Sequence, residues 1–207
     1  MALPKLDTPT YETQLPSTDE TIKYRPFLVK EQKVLMMAQE SDDEKQITNA
    51  MMQLVSSCTF GKVDAATAPI FDVEHIFLKI RGVSVGQKVT VNITCPDDDK
   101  TKVKKEINLE DIQCTVDDTH TNMVELTPNI KLEMAYPTIN NSQGTTDSNT
   151  ETVFKMLDGC IAALHHGDTI HKRVDITQKE MAEFIDDLNV NQLESIMVFF
   201  NTMPRLR

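Results

Sequence analysis

The spacing of hydrophobic residues changes near residue 86, and this change restricts the folds that the chain can adopt. Before it, residues 71–81 place their apolar side chains on one helical face, formed by Val73, Ile76, Phe77 and Ile80. After it, residues 88–95 alternate, with one face formed by Val89, Val91, Ile93 and Cys95. A chain with both periods needs helices and a sheet, so the sequence predicts the α+β class.

Helices are predicted on both sides of the alternating region. Before it, a first helix is predicted over residues 31–40, and a second begins at the capping-box spacing Ser41–Glu44. A third is predicted over residues 71–81 and ends at Gly82 or Gly86. After it, helices are predicted over residues 151–164, 181–188 and 192–201. The second follows a capping box at Thr177–Glu180, and the third is capped by Asn189 or Asn191. These helices predict a mainly helical core from residues 22–85 and 151–207.

The remaining segments complete the predicted domain plan. Strands are predicted over residues 88–95, 101–109 and 129–136, so residues 86–137 would form a small antiparallel β module inserted between the helices. Residues 1–21 contain three prolines and are predicted to be an extended N-terminal arm, followed by a short edge strand over 21–27. Residues 138–150, rich in Ser, Thr and Asn, are predicted to be a flexible linker.

Charge and hydropathy exclude several classes of partner. The net charge of −11 disfavours binding to nucleic acid or to an anionic membrane, because both would repel the chain. No segment approaches the roughly 20 apolar residues of a membrane span, and the first residues lack the apolar core of a signal peptide. The sequence therefore predicts a protein of the cytoplasm of the cell that makes it.

No catalytic or cofactor motif is found, which predicts a protein that is not an enzyme and has no cofactor or small-molecule substrate. Phosphate-binding glycine loops, a zinc-protease helix and a nucleophile in a glycine-bounded turn are all missing from the sequence. A hydrolase with distant acids and the histidines His165 and His166 is the weaker alternative. Together with His171, these histidines are interpreted as part of a solvated turn at a helix end.

The cysteines are interpreted as reduced thiols, with Cys58 and Cys160 buried in apolar helical patterns. A zinc-ribbon-like binding module would need four ligands, whereas Cys95, Cys114 and His120 supply three. No metal is therefore expected.

The C-terminal segment carries two adjacent aromatic residues, Phe199 and Phe200. On a helix their side chains point in directions roughly 100° apart. Either both belong to the core, or one packs in the core while the other contacts a partner.

Four blocks of the sequence resemble the family of the T4-like bacteriophage baseplate hub subunit. These blocks are Tyr24–Lys33, Phe71–Arg81 with Ser84–Gly86, Val91–Pro96 and Phe199–Pro204. The resemblance covers residues 22 to 204 and brings no enzyme motif with it. Relatives carry a second cysteine soon after the Cys-Pro step, where this chain has Asp97–Asp99, which argues against a bound metal here.

The resemblance implies a structural or assembly component of a contractile phage tail that helps to form the baseplate hub. Its partners would be other hub proteins or the tape-measure protein, met in the host cytoplasm during assembly and in the baseplate of the virion. A transient assembly chaperone that is absent from the virion is the alternative. Candidate partner-binding residues are Arg25, Phe27, Lys30, Glu31, Asp72, Glu74, Phe77, Arg81, Phe199 and Phe200. The charged ones have an alternative role in helix capping and surface ion pairs.

Overall fold

A computed structural model describes residues 6–97, 100–142 and 150–207 and confirms the α+β class. The chain divides into two compact units. The first runs to Cys114 and includes Leu206–Arg207, and the second comprises Thr115–Arg205. The predicted arm at 1–21 and the predicted linker at 138–150 lie partly outside the described residues, at 1–5 and at 143–149.

The first unit contains three helices and short strands among its described residues. In chain order these are β1 (Tyr11–Gln14), β2 (Thr21–Tyr24), α1 (Val29–Glu40), α2 (Glu44–Cys58), α3 (Ile70–Val85), β3 (Lys88–Thr94), β4 (Lys102–Asn108) and the start of β5 (Cys114–Thr115). β1 pairs with β2, and β3 pairs with β4, each as an antiparallel hairpin. Gln113 and Arg207 exchange two backbone hydrogen bonds of 2.9 Å, which fix the C-terminal end of the chain in this unit.

Helix α2 lies at the centre of the first unit because it packs against both α1 and α3. α2 buries Leu54, Val55 and Cys58, and α3 buries Val73, Ile76 and Ile80. α3 ends where Gly86 adopts a φ of +126°, a backbone conformation that favours glycine. The stop at Gly86 was one of the two predicted, and Gly82 lies buried inside the helix.

The second unit combines a four-stranded antiparallel sheet with helices. Its elements are β6 (Met123–Thr127), β7 (Ile130–Met134), α4 (Ile139–Ser142), α5 (Thr150–Gly159), β8 (Ile161–His166), β9 (Thr169–Lys172), α6 (Gln178–Asp186), α7 (Val190–Thr202) and the start of β10 (Arg205–Leu206). The strand order in the sheet is β6-β7-β8-β9. Its core contains Leu132 from the sheet and Ile196 and Phe199 from α7, together with Leu157 and Met181.

The last two helices begin where the sequence predicts. The Thr177 hydroxyl accepts a hydrogen bond from the Glu180 N–H, and the Glu180 carboxylate accepts one from the Thr177 N–H, which completes the capping box of α6. Asn189 and Gln192 make the same reciprocal pair at α7.

Three local predictions are wrong. The residues from 161 to 164, predicted to be helical, belong to β8, because pairing with β7 and burial of Ile161 and Ala163 outweigh the helix propensity of alanine and leucine. Part of the predicted extended arm is the β1 hairpin strand. Asp43 instead of Ser41 caps α2, accepting from the Lys45 N–H at 2.9 Å.

The structure also draws the domain boundary at a different place from the sequence. The predicted β module at 86–137 is divided between the two units, with β3 and β4 in the first and β6 and β7 in the second. None of the helices in the described part of the chain combines the length and the hydrophobicity that a membrane span requires.

Candidate partner-binding surface

Two of the sequence blocks singled out above meet in the first unit. The backbone N–H of Arg25 donates to the carbonyl oxygen of Cys58 at 3.0 Å, which joins the end of β2 to the end of α2. Two residues later, the N–H of Phe27 donates to the Ser84 hydroxyl oxygen at 3.0 Å. The segment that leads into α1 is therefore held against α2 and α3 by hydrogen bonds from its backbone N–H groups.

A charged cluster stands at the first turn of α1. The Arg25 guanidinium donates to Glu31 Oε1 at 3.0 Å, and the Leu28 N–H donates to Glu31 Oε2 at 2.7 Å. The Nζ atom of Lys30 lies 3.5 Å from Glu31 Oε1. Burial alone would raise the pKa of Glu31, but the hydrogen bonds from Arg25 and Leu28 and the nearby positive charges lower this pKa overall.

These contacts divide the candidates at the start of α1 into two kinds. The side chains of Arg25 and Glu31 are only 12% and 9% exposed, so they hold the helix start in place. Phe27 is half-buried, and the Lys30 side chain is 73% exposed. Lys30 is therefore the member of this group that is most accessible to a partner.

A groove lies beside this cluster, between α1 and α2. It has a volume of about 180 Å³. Its lining is mixed in polarity and consists of Lys30, Glu31, Val34, Ala50, Gln53, Leu54 and Ser57. The groove thus has an apolar floor and a charged end.

The outward side of α1 exposes three apolar side chains among charged ones such as Lys33 and Glu40. Val29, Met36 and Met37 are 67%, 52% and 70% exposed, and we call these three residues the α1 face. At 100° per residue, Val29 and Met36 lie opposite the buried Glu31 and Ala38, with Met37 beside them. The α1 face is not among the residues predicted from the sequence to bind a partner, although its i, i+7, i+8 spacing is present there.

The candidates on α3 serve mainly to hold the fold. Asp72 is 1% exposed, and its carboxylate accepts hydrogen bonds from the N–H and the hydroxyl of Ser17. Arg81 donates to the carbonyl oxygen of Gly86 at 3.2 Å, just beyond the end of the helix. Glu74 is exposed and Phe77 is half-buried, so these two retain accessible surface.

The two C-terminal phenylalanines lie in the core of the second unit. Phe199 is 2% exposed and Phe200 is 6% exposed, and their rings pack edge to face with centroids 5.2 Å apart. Of the two alternatives left open by the sequence, the structure therefore supports the one in which both rings belong to the core. The reason is that the loops and strands around α7 bury a wider part of its surface than one stripe.

The cysteine and histidine candidates do not come together as a metal site. Among the residues that the structure describes, no group of three or more potential ligands is found. Both ring nitrogens of His120 have partners, the Thr202 hydroxyl and the Tyr136 hydroxyl, each at 3.0 Å. Cys58 and Cys160 are buried, as predicted, and this burial raises the pKa of the Cys58 thiol to about 11 and that of the Cys160 thiol to about 12.

The three histidines predicted to lie in a turn at a helix end lie instead on the β8–β9 hairpin. His165 Nε2 is 3.0 Å from Glu133 Oε2 on β7, and His166 pairs with Thr169 across the hairpin turn. His171 is exposed on the edge strand β9. The three histidines therefore occupy separate positions on β8 and β9, each with different neighbours.

The fold is α+β, and its helix α1 presents apolar side chains to solvent, an arrangement typical of proteins that bind other proteins. The chain belongs to the T4 bacteriophage base plate protein family, whose model matches residues 8–207. Neither the curated proteins nor the solved structures include a match to the chain. Membership of this family supports a structural or assembly role in the phage baseplate and implies contacts with other phage proteins.

Proposed function

We propose that this protein acts in formation of the baseplate hub of a contractile phage tail, by binding other hub proteins or the tape-measure protein. The observation that carries the proposal is the α1 face, which exposes two methionines and a valine on a helix whose buried residues, Glu31 and Ala38, lie on the opposite side. Methionine side chains adapt to irregular partner surfaces, so this face suits assembly with another protein.

Covering the α1 face would supply part of the energy of a specific contact. Fully burying one side chain of this size gives about 1.5–3 kcal/mol, and all three are more than half exposed before binding. Covering the α1 face would therefore contribute on the order of 3–5 kcal/mol before the costs of association are subtracted.

The groove between α1 and α2 supplies the second part of the proposed surface. Its apolar floor at Ala50 and Leu54 can receive one side chain of a partner. The exposed ammonium group of Lys30 at the groove's end favours a partner with an acidic residue next to that side chain. An inserted apolar anchor with a charged neighbour is a frequent arrangement at the centre of protein interfaces.

The proposal is tested by replacing apolar side chains of this surface with charged ones. A Met36→Glu and Met37→Glu double variant should lose co-purification of hub and tape-measure proteins from infected cells. A control variant, Val174→Glu, changes a side chain that is 88% exposed in the second unit and should retain them. Retention by the methionine variant, with its circular dichroism spectrum unchanged, would show that α1 is not the binding surface.

A second experiment separates a hub component from a transient assembly chaperone. Mass spectrometry of purified virions beside infected-cell lysate should detect the protein in both if it is a structural subunit. Detection in lysate alone identifies an assembly factor. Absence from virions and from every complex with hub or tape-measure proteins in the lysate would reject the proposed function.

A further inference from the structure

The β3–β4 hairpin is a two-stranded ribbon with free outer edges. Its register runs from the pair Lys88–Asn108 to the pair Thr94–Lys102. Within the described residues no third strand joins it, because the sheet order is β3-β4 alone. Two-stranded ribbons of this kind are marginally stable by themselves, so an added strand would gain from the pairing.

The positions of the hydrogen bonds show which backbone groups face outward. The Cys95 N–H donates to the Thr101 carbonyl oxygen at 2.8 Å, and the Leu109 N–H donates to the Gln87 carbonyl oxygen at 2.8 Å. Opposite residues of an antiparallel pair alternate between hydrogen-bonded and non-bonded pairs. The backbone groups of the odd-numbered residues therefore bond to the other strand of the hairpin. The N–H and carbonyl groups of Lys102, Lys104 and Glu106 therefore point away from β3, along the free edge of β4.

The same alternation separates an apolar face from a polar one. Val89, Val91 and Ile93 on β3 lie opposite Ile107, Lys105 and Val103 on β4, and all six side chains share one face. Ile93 is 44% exposed and Val103 is 50% exposed, so this face is only partly covered. Lys102 and Lys104 lie on the other face, beside Thr94 and Asn92.

The outer strand is positively charged, although the whole chain carries a net charge of −11. Lys88 is paired with Glu106 at 2.7 Å. In the described part of the chain, the exposed side chains of Lys102, Lys104 and Lys105 form no ion pair. The free edge of β4 thus combines unpaired backbone groups with unpaired positive charges.

We infer that the free edge of β4 binds an extended acidic segment of another baseplate protein as a third strand. Acidic side chains of that segment would stand opposite Lys102 and Lys104, and its alternate apolar side chains would extend the face that contains Val103. Backbone pairing supplies affinity in this mode of binding, and the side chains supply specificity. A second copy of β4 is disfavoured at this edge because both strands carry a net positive charge, from three lysines and one glutamate.

Edge lysines also have a purely protective role, because they discourage unwanted strand pairing. The two roles predict different responses to an acidic strand. A protective edge rejects every added strand, whereas a docking edge accepts an acidic one and rejects a basic one.

The probe is a capped nine-residue peptide of alternating glutamate and valine, titrated into the full-length protein. The matched control peptide has lysine in place of glutamate. We expect the acidic peptide to bind, its affinity to fall as salt is added, and the basic peptide to show no binding. Failure of the acidic peptide to bind, or equal binding of the two peptides, would overturn the inference.

Amide hydrogen exchange gives a sharper readout. Bound acidic peptide should slow exchange at the amides of Lys104 and Glu106, which face outward. The amides of Val103 and Lys105 are already bonded to β3 and should not change. Slowed exchange that does not follow this alternation would mean that the peptide binds elsewhere.

Charge-reversal variants complete the test. Changing Lys102 and Lys104 together to glutamate should weaken binding of the acidic peptide about tenfold or more, since two favourable cross-strand pairs become unfavourable. The control changes Lys45 and Lys62, two exposed lysines of the same unit, to glutamate and should leave the affinity within about twofold. Equal weakening by both variants would mean that overall charge alone explains the effect, which would overturn the inference.

The inference rests on the proposed function only for the nature of the partner. Failure of the peptide to bind would remove the β4 edge as a docking site and leave the hub role intact. Absence of the protein from virions and hub complexes would reject the hub role without affecting the peptide result.

Discussion

Ser17 donates two hydrogen bonds to the buried carboxylate of Asp72, one from its backbone N–H at 3.0 Å and one from its hydroxyl group. This relationship fastens the turn between β1 and β2 to the first turn of α3. A carboxylate at that position also interacts favourably with the positive end of the helix dipole. The pair therefore connects segments that are 55 residues apart in sequence.

Removing the Asp72 carboxyl group should loosen the β1–β2 hairpin. Asp72→Ala leaves the Ser17 N–H without its partner in a buried place, so we expect a loss of about 1–3 kcal/mol in the free energy of unfolding. Urea unfolding followed by circular dichroism measures this loss. Asp72→Asn is the control, because its amide oxygen can accept from the N–H and its amide nitrogen can donate to the hydroxyl. An equal loss in both variants would contradict the assigned hydrogen bonds.

Ionisation of Asp72 should make stability depend on pH. Burial raises the pKa of this carboxyl above its ordinary value of 3.8, although the hydrogen bonds from Ser17 oppose the shift. The folded state therefore holds the proton more tightly than the unfolded state. Relative to Asp72→Asn, the wild type should be most stable below pH 3.8 and lose stability as pH rises through the higher folded pKa. Unfolding of both proteins between pH 3 and 7 tests this, and a parallel pair of curves would contradict it.

Glu31 should show the opposite dependence on pH. Hydrogen bonds and positive charges lower its pKa from the ordinary 4.5, so its contribution is present above pH 4.5 and disappears as pH falls through the lower folded pKa. Glu31→Gln should cost about 1–3 kcal/mol at pH 7, because hydrogen bonds to a charged group are lost. A double-mutant cycle with Arg25→Ala measures the coupling. Additive effects of the two changes would show that the 3.0 Å contact contributes nothing.

Local signals in the sequence were sufficient for much of the fold. The period change near residue 86 correctly separates α3 from β3, and the spacings at Thr177 and Asn189 locate the starts of α6 and α7. These features depend on residues within one or two turns of each other. They are therefore visible without knowledge of distant contacts.

Features that depend on distant contacts could not be predicted in the same way. Residues 161–166 contain good helix formers, and only pairing with β7, about 30 residues earlier, makes them a strand. The same dependence explains the burial of Phe200, which the sequence alone left open between core and surface. At the candidate site, Lys30 was identified from the sequence, whereas the α1 face was not, because its exposure depends on where α2 packs.

His120 should stabilise the second unit only when it is neutral. Its ring packs against both Tyr136 and Phe199, with centroid distances of 5.6 and 5.2 Å. Burial lowers the pKa of His120 below its ordinary 6.5, against an opposing effect of Asp117. Because the unfolded state binds the proton first, stability should fall as pH drops from 6.5 through the lower folded pKa.

Comparison with His120→Gln isolates that effect of pH, since glutamine does not titrate. The difference in melting temperature between wild type and variant should shrink as pH falls from 7 toward 5. His171→Gln, at an exposed position on β9, is the matched control and should follow the wild type throughout. A constant difference for His120→Gln would show that the imidazole does not titrate in this range.

Phe199 should act as a core residue and not as a docking residue. It is 2% exposed and contacts His120, Tyr136 and Phe200 through its ring. Phe199→Ala removes a large buried side chain and should cost about 3–5 kcal/mol in the free energy of unfolding. The neighbouring Val198 is 55% exposed, so Val198→Ala should change stability by no more than about 0.5 kcal/mol.

A milder variant separates stability from binding at the same position. Phe199→Leu keeps most of the apolar volume, so the protein should remain folded at a lower melting temperature. Once folded, it should co-purify with hub and tape-measure proteins as the wild type does, because the ring is not on the surface. Loss of those partners from a stably folded Phe199→Leu protein would mean that the ring reaches the partner, which would contradict its burial in α7.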